Sequence, residues 1–117
     1  MSGIKRGDIW LASLDPTIGH EVSKTRPAII IQNDIGNNYS PTTIIAPMTS
    51  QKVDKIYPVE VIIRKQDSGL DKDGKVLLNH IRTVDKQRLV KKIGNVNELA
   101  LEKIDDAIRI SLGLTNF

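Results

Sequence analysis

The chain has 117 residues, a formal net charge of +3 and no cysteine. That length supports one hydrophobic core, so we expect residues 1–117 to form a single domain, and the absence of cysteine excludes disulfides and thiolate metal sites. No apolar run approaches the length of a membrane span, and the N-terminal segment turns polar too early for a signal peptide, so we expect a cytoplasmic protein.

The basic residues are concentrated in the body of the chain. Residues 1–96 hold 15 of the 17 Lys and Arg against 10 Asp and Glu, whereas residues 97–117 hold 2 against 4. A basic body fits a face that binds a polyanion, although many soluble domains carry a similar charge. With only four aromatic residues in the chain, an aromatic platform for stacking bases is not expected.

Short apolar and alternating runs predict β-strands along most of the chain. The predicted strands cover residues 8–14, 28–32, 43–49, 59–63, 75–79 and 89–94, with a further extended piece at 81–85. The ten-residue loop at 16–25 is long enough to carry function. Asp34 is expected to cap a short helical turn that Gly36 to Asn38 breaks, and Pro47 indicates an edge or a bulge.

A helix is predicted at the C-terminal end, over residues 98–112. Asn97 is its expected N-cap and Gly113 its expected stop. Its apolar face consists of Leu101, Ile104, Ala107, Ile108, Ser111 and Leu112, which recur at helical spacing. Strands followed by one amphipathic helix predict a mainly β fold with a C-terminal α-helix, curled into a small barrel.

Arg26 and Thr49 stand at the ends of two predicted strands. Pro27 stiffens the backbone beside Arg26 and so fixes its direction. If the second and third strands pair antiparallel, the guanidinium and the hydroxyl lie at one edge of the sheet, where they suit a phosphate. The alternatives are an arginine paired with a surface carboxylate and a threonine that bonds to its own turn.

Two histidines can exchange a proton near neutral pH. His20 lies in the loop that leads to Arg26, and His80 follows a predicted strand. For each, the alternative is a histidine without a chemical task. The residues alone therefore predict a basic β-domain with an edge that recognises phosphate.

The chain resembles the MazF/PemK family of toxin endoribonucleases of type II toxin–antitoxin systems. The stretches that carry the resemblance are Arg6-Gly7-Asp8-Ile9-Trp10, Leu14-Asp15-Pro16, Gly19-His20-Glu21, Thr25-Arg26-Pro27, Gln32-Asn33-Asp34, Pro47-Met48-Thr49-Ser50 and Ile81-Arg82-Thr83-Val84-Asp85-Lys86-Gln87-Arg88-Leu89. The resemblance implies an SH3-like barrel that works as a cytoplasmic homodimer. It also implies sequence-specific cleavage of single-stranded RNA, chiefly messenger RNA, without a metal ion or other cofactor.

In that reaction the 2′-OH of the substrate attacks the adjacent phosphate and leaves 2′,3′-cyclic phosphate and 5′-OH ends. The resemblance implies that Arg26 and Thr49 are catalytic, that His20 assists them, and that a cognate acidic antitoxin neutralises the toxin. The residues expected to contact RNA are Gly19, Glu21, Lys24, Ser50, Asn79 and His80. Asn79 stands where some members carry an acidic residue, so the general base would be His20, Glu21 or Arg26.

Two other functions are compatible with a fold of this kind. One is a toxin that binds DNA gyrase without catalysis, but the CcdB-like gyrase poisons end in Trp-Gly-Ile, whereas this chain ends in Leu114-Thr115-Asn116-Phe117. The other is an SH3-like binding module, which would leave Arg26 and Thr49 without a joint purpose.

Overall fold

Seven strands and two α-helices make up most of the part of the chain that the structure describes. A computed structural model describes residues 3–116; Met1 and Ser2 of the polar N-terminus and Phe117 of the C-terminal tetrapeptide lie outside the described residues. The strands are β1 (Asp8–Ser13), β2 (Thr25–Ile30), β3 (Thr42–Thr49), β4 (Glu60–Ile63), β5 (Gly74–Leu77), β6 (Arg82–Asp85) and β7 (Leu89–Asn95). The helices are α1 (Asp34–Tyr39) and α2 (Glu98–Ser111), and 3₁₀ turns cover Lys65–Asp67 and Lys86–Arg88.

Strand β3 connects the two parts of the sheet. It pairs with β2 along one edge, and along the other edge it pairs first with β6 and then with β5. Strand β1 pairs with β2 and β7, and the 3₁₀ turn at Lys86–Arg88 leads from β6 directly into β7. The antiparallel strands β7, β1, β2, β3 and β6 therefore curl into a small barrel, and the β4–β5 hairpin extends from the end of β3.

Two hydrophobic cores lie on opposite faces of this sheet. The alternation of side chains sends Ala28 and Ile30 of β2 into the barrel, where they pack with Ile45 of β3. The intervening Ile29 belongs to the second core, which also contains Ile104 of α2. Because both faces are covered, β2 and β3 are apolar without alternation, as the sequence indicates.

Helix α2 begins at the predicted Glu98 and ends at Ser111, one residue before the predicted end at Leu112. The Asn97 side chain accepts a hydrogen bond from the Ala100 backbone N–H, and Gly113 has a φ of +74° immediately beyond the helix. The prediction that Leu112 belongs to the apolar face is wrong, because its side chain is exposed at the C-cap. Ser111 lies on that face but donates to the Leu78 carbonyl at 2.7 Å.

The sequence prediction at α1 is wrong in its detail. The N-cap is Asn33, whose Oδ1 accepts from the Gly36 backbone N–H at 2.8 Å, and Asp34 is the first residue of the helix. Gly36 does not break the helix. Asn37 is completely buried, and its Oδ1 accepts from the Thr43 hydroxyl at 2.7 Å, so a tertiary contact holds the helix together.

Pro47 does not lie at a bulge, and β3 is an inner strand of the sheet, but one side of β3 has no partner at Pro47. On one side, Pro47 faces Ala28 of β2. On the other side, it lies between the β3 residues that pair with β6 and those that pair with β5. The Ile31 N–H donates to the Ile44 carbonyl, so alternation along the ladder makes Ala28 and Pro47 a pair without mutual hydrogen bonds. The nitrogen of Pro47, which carries no hydrogen, therefore points to the unpaired side of β3, and the sheet loses no hydrogen bond there.

A buried ion pair fixes the loop between β3 and β4. Lys75 of β5 lies opposite Thr49, and its Nζ is 2.8 Å from Glu60 Oε1 and 3.1 Å from the Lys55 carbonyl oxygen. The side chains of Lys75 and Glu60 are only 6% and 10% exposed. The Tyr57 backbone N–H donates to the same carboxylate oxygen of Glu60. The pair therefore ties the loop to β5, directly behind the end of β3.

No helix among residues 3–116 is long and apolar enough to cross a membrane.

The variant Lys75→Met tests the contribution of the buried pair. It keeps most of the side-chain volume but leaves the Glu60 carboxylate buried without its cation, which costs about 3–5 kcal/mol in comparable pairs. We expect a loss of this order in the free energy of unfolding, measured with urea. The matched control is Arg109→Met, which removes an exposed pair with Asp106 and should change stability by about 0.5 kcal/mol or less. Equal losses of unfolding free energy in both variants would contradict a larger contribution from the buried pair of Lys75 and Glu60.

Candidate active site

The β1–β2 loop delivers Arg26 to the start of the barrel. Arg26 is half-buried, and its Nε donates to the Ser23 carbonyl at 2.7 Å. The loop is held in turn by the Lys24 N–H, which donates to Asp15 Oδ1 at 3.0 Å, and by Arg88, whose Nη1 donates to the Asp15 carbonyl. With Nε engaged, the two terminal nitrogens of the guanidinium remain to bind an anion.

Strands β2 and β3 place Arg26 beside Thr49. The ladder between them ends at the pair Ala28 and Pro47, and its register continued by two residues would set Arg26 opposite Thr49. That position would belong to the set without mutual hydrogen bonds, in which side chains approach closely. Both residues line one cavity of about 340 Å³. The predicted meeting of the two strand ends is therefore what the fold produces.

The Thr49 hydroxyl also bonds to its own turn. Its Oγ1 accepts from the Gln51 backbone N–H at 3.1 Å, which is the alternative that the sequence left open. This hydrogen bond uses a lone pair and leaves the hydroxyl hydrogen available to donate. The turn therefore orients the Thr49 side chain and leaves its hydroxyl free to donate a hydrogen bond.

The sequence does not predict four further polar residues that line the cavity, namely Gln51, Asp71, Lys72 and Asp73. Asp71 and Lys72, in the loop that precedes β5, line the same space as Arg26 and Thr49. The only sequence signal is a run of charged residues before Gly74, which is typical of any solvated turn. The remaining lining residues are Pro27, Met48, Ser50, Gln51, Leu70, Asp73, Gly74 and Ile93.

The other predicted contact residues do not gather around Arg26. Glu21, Asn79 and His80 line a second cavity of about 240 Å³, together with Pro47. Pro47 and Thr49 lie two residues apart on one face of β3, about 7 Å along the strand, so the two cavities are neighbours.

Of the predicted site residues that remain, one lies in the first cavity and three lie in neither. Ser50 lines the cavity that contains Arg26. The residues that line neither cavity are Gly19, His20 and Lys24, which are exposed in the β1–β2 loop. Within residues 3–116 no three His, Asp or Glu side chains are grouped closely enough to hold a metal ion.

The comparison with known proteins decides the family. A family model described as PemK-like, MazF-like toxin of type II toxin–antitoxin system matches residues 5–112. The chain belongs to this family. It is 44% identical to Endoribonuclease EndoA of Bacillus subtilis over 114 residues, which are 97% of this chain and 98% of that protein. It is 47% identical to Endoribonuclease MazF of Staphylococcus epidermidis, over 97% of this chain and 95% of that protein.

Solved structures of the MazF family share the fold. A crystal structure of MazF from Deinococcus radiodurans superimposes with a TM-score of 0.81 at 25% identity, covering 94% of this chain and 96% of that chain. A mycobacterial endoribonuclease in complex with its cognate antitoxin gives 0.80 at 23% identity, covering 98% and 100%. The predicted mainly β, barrel-like fold with a C-terminal helix and the predicted family are both confirmed.

Asp73 anchors one side of the cavity. Its Oδ1 accepts from the Lys65 backbone N–H at 2.8 Å, and its Oδ2 accepts from Arg64 at 3.2 Å. The backbone hydrogen bond from Lys65, followed by the contact with Arg64, lowers the pKa of Asp73 below its ordinary value of 3.8. A carboxylate with a lowered pKa stabilises the fold above its unfolded pKa and loses this contribution as the pH falls through its folded pKa.

The variant Asp73→Asn should therefore be less stable than the wild type at about pH 7, with a difference that shrinks at about pH 2.5. Urea unfolding at both pH values measures the two free energies. Arg64→Met is the control, since it keeps the hydrogen bond from Lys65 and so retains the larger part of the pH dependence. An equal difference between the wild type and Asp73→Asn at both pH values would show that the carboxylate is not stabilised in its ionised form.

Proposed function

We propose that this chain is a sequence-specific endoribonuclease toxin that cleaves single-stranded RNA, chiefly messenger RNA, without a metal ion. The observation that carries the proposal is that Arg26, at the start of β2, and Thr49, at the end of the adjacent β3, line one cavity. A permanent cation beside a hydroxyl donor suits a phosphodiester that gains charge during reaction. The two relatives of known name, both endoribonucleases, support the same activity.

The reaction needs no nucleophile from the protein. The 2′-OH of the ribose forms a bond to the adjacent phosphorus, and the bond from phosphorus to the 5′-oxygen breaks, which leaves a 2′,3′-cyclic phosphate and a 5′-OH. In the transition state, negative charge grows on the non-bridging oxygens. The terminal nitrogens of Arg26 stabilise this charge, and the Thr49 hydroxyl donates to one of these oxygens.

A proton must leave the 2′-OH and another must reach the 5′-oxygen. His20 carries a group suited to this transfer, and we assign it an assisting role from its place in the loop that leads to Arg26. Glu21 and Arg26 are the other candidates for the base. Asn79 has no proton-accepting group, so its place in the second cavity suits a contact to RNA instead.

RNA contacts are proposed for both cavities and for the exposed part of the β1–β2 loop. Ser50 lies in the first cavity, and the second contains Glu21, Asn79 and His80. Gly19 and Lys24 are exposed on the β1–β2 loop, where the ammonium of Lys24 can reach a phosphate. A substrate that contacts all of them must be extended and unpaired.

The proposed partners are a cognate antitoxin and a second copy of this chain, in the cytoplasm. An acidic antitoxin segment would compete with RNA for the same basic surface, a mode that disordered segments suit. The solved complex of a mycobacterial endoribonuclease with its antitoxin supports this partnership. Relatives named as endoribonucleases favour RNA cleavage over the gyrase-binding alternative.

Arg26→Ala tests the role of the guanidinium. We expect cleavage of a long single-stranded RNA by the purified protein in EDTA to fall at least about 100-fold, since the main stabiliser of the phosphate charge is lost. Mapping the fragment ends should show cyclic phosphates from the wild type. Arg109→Ala, on the exposed face of α2, is the control and should cleave normally. Intact RNA from folded wild-type protein, across varied sequences, would refute the nuclease function.

Thr49→Val tests the hydroxyl while keeping the branched shape of the side chain. We expect kcat to fall about 100-fold, with a smaller change in KM, because the hydroxyl donates to charge that develops in the transition state. Thr49→Ser keeps the hydroxyl and should retain most of the activity. Thr83→Val, at an exposed position of β6, controls for the general effect of the substitution. Equal activities of the Thr49→Val and Thr49→Ser variants would exclude a catalytic hydroxyl.

A further inference from the structure

The cavity that contains Arg26 and Thr49 has more apolar surface than a phosphate requires. Four of its lining residues are apolar: Pro27, Met48, Leu70 and Ile93. Its volume of about 340 Å³ lies within the range of small-ligand sites. Unpaired RNA bases are bound on apolar surfaces, with polar groups placed at their edges. An apolar cavity directly beside the proposed phosphate site therefore suits one base of the substrate.

Asp71 and Lys72 supply polar groups at the rim of this cavity. Both side chains are exposed, and within residues 3–116 neither forms a hydrogen bond or an ion pair. The neighbouring Asp73 is different, because both of its carboxylate oxygens are engaged. Of the two carboxylates that line the cavity, Asp73 therefore supports the loop, and Asp71 is available to a ligand.

The loop that carries Asp71 and Lys72 is anchored before and after them. Leu70 packs against the core beneath α2, and its N–H donates to the buried Ser68 hydroxyl at 3.1 Å. The Ser68 carbonyl accepts from Asn95 of β7 at 3.3 Å. Strand β7 passes so close to Ser68 that a Cβ on Gly94 would lie 2.3 Å from the Ser68 carbonyl oxygen.

On the other side of the two residues, Asp73 is held by Lys65 and Arg64. Gly74 then passes close to the end of β3, since a Cβ there would lie 3.2 Å from the Thr49 carbonyl oxygen. The backbone positions of Asp71 and Lys72 are therefore set relative to Thr49 before any substrate binds. Groups held in advance discriminate better between ligands than groups that must first be ordered.

We propose that Asp71 and Lys72 select the base that enters this cavity beside the cleaved phosphate. The Asp71 carboxylate accepts a hydrogen bond from an exocyclic amino group, and the Lys72 ammonium donates to an adjacent acceptor of the same base. Adenine, cytosine and guanine carry an amino group next to a ring nitrogen acceptor, whereas uracil has no amino group and is disfavoured. This inference rests on the proposed function and assigns part of its sequence specificity to the loop at residues 70–73.

The test is the distribution of cleavage sites on a pool of RNA with randomised sequence. Wild type, Asp71→Ala and Lys72→Met are compared, and fragment ends are sequenced. We expect the preference at one position next to the cleaved bond to fall about tenfold in each variant, the effect of one lost base contact, while preferences elsewhere stay the same. Asp67→Ala and Lys103→Met, exposed residues outside this cavity, are the matched controls and should keep the wild-type preferences.

A second measurement separates base selection from chemistry. Oligonucleotides with a 2′-deoxyribose at the cleaved position cannot react, so their binding reports recognition alone. Pairs of such oligonucleotides that differ only in the selected base should differ in Kd for the wild type and bind alike to Asp71→Ala, which lacks the acceptor. Variants that lose rate equally at all sites and keep the wild-type preferences would overturn the inference. Absence of cleavage by the wild type would instead refute the proposed function itself.

Discussion

The two-sided pairing of β3 is the constraint on which the site depends. Its pairing with β2 brings Arg26 and Thr49 to one cavity, and a slip of one residue would move Arg26 to the other face of the sheet. Such a slip is prevented because both faces are buried. A slip in one direction would put Ile29 at the site of Ala28 inside the barrel, and a slip in the other would put Ala28 at the site of Ile29 beneath α2. Closely packed cores tolerate neither change of volume. Apolar packing therefore fixes the geometry of a polar site.

Sequence predicts those elements of the fold whose signals are local. Helix α2 follows from its periodic apolar face and from Asn97, whose side chain caps the backbone three residues away. Helix α1 is mispredicted because its stability comes from elsewhere. Asn37 is hydrogen-bonded to Thr43. Gly36 fits beside Gln32 because it has no side chain, whereas a Cβ at this position would lie 2.8 Å from the Gln32 amide nitrogen. Such contacts depend on the tertiary structure and leave no pattern in the helix itself.

The same division applies to the candidate site. The meeting of Arg26 and Thr49 follows from two strand ends and antiparallel pairing, which a sequence can indicate. The position of Asp71 and Lys72 follows from the burial of Leu70 and from the hydrogen bonds of Asp73, which fix the loop against distant parts of the chain. A charged loop has the same appearance in a sequence whether it is solvated or lines a cavity. Sequence therefore identifies the proposed reaction centre better than its surroundings.

The two cavities lie at different points along β3 and are lined by different loops. One contains Arg26 and Thr49 with the loop at 70–73, and the other contains Asn79 and His80 from the segment that follows β5. Since different loops line the two cavities, one can change without disturbing the register that sets the catalytic pair. A base can enter either cavity only when it is unstacked, which favours a single strand over a duplex. In this arrangement the rigid strands hold the proposed catalytic pair, and the loops at their ends are the proposed determinants of which sequence is cut.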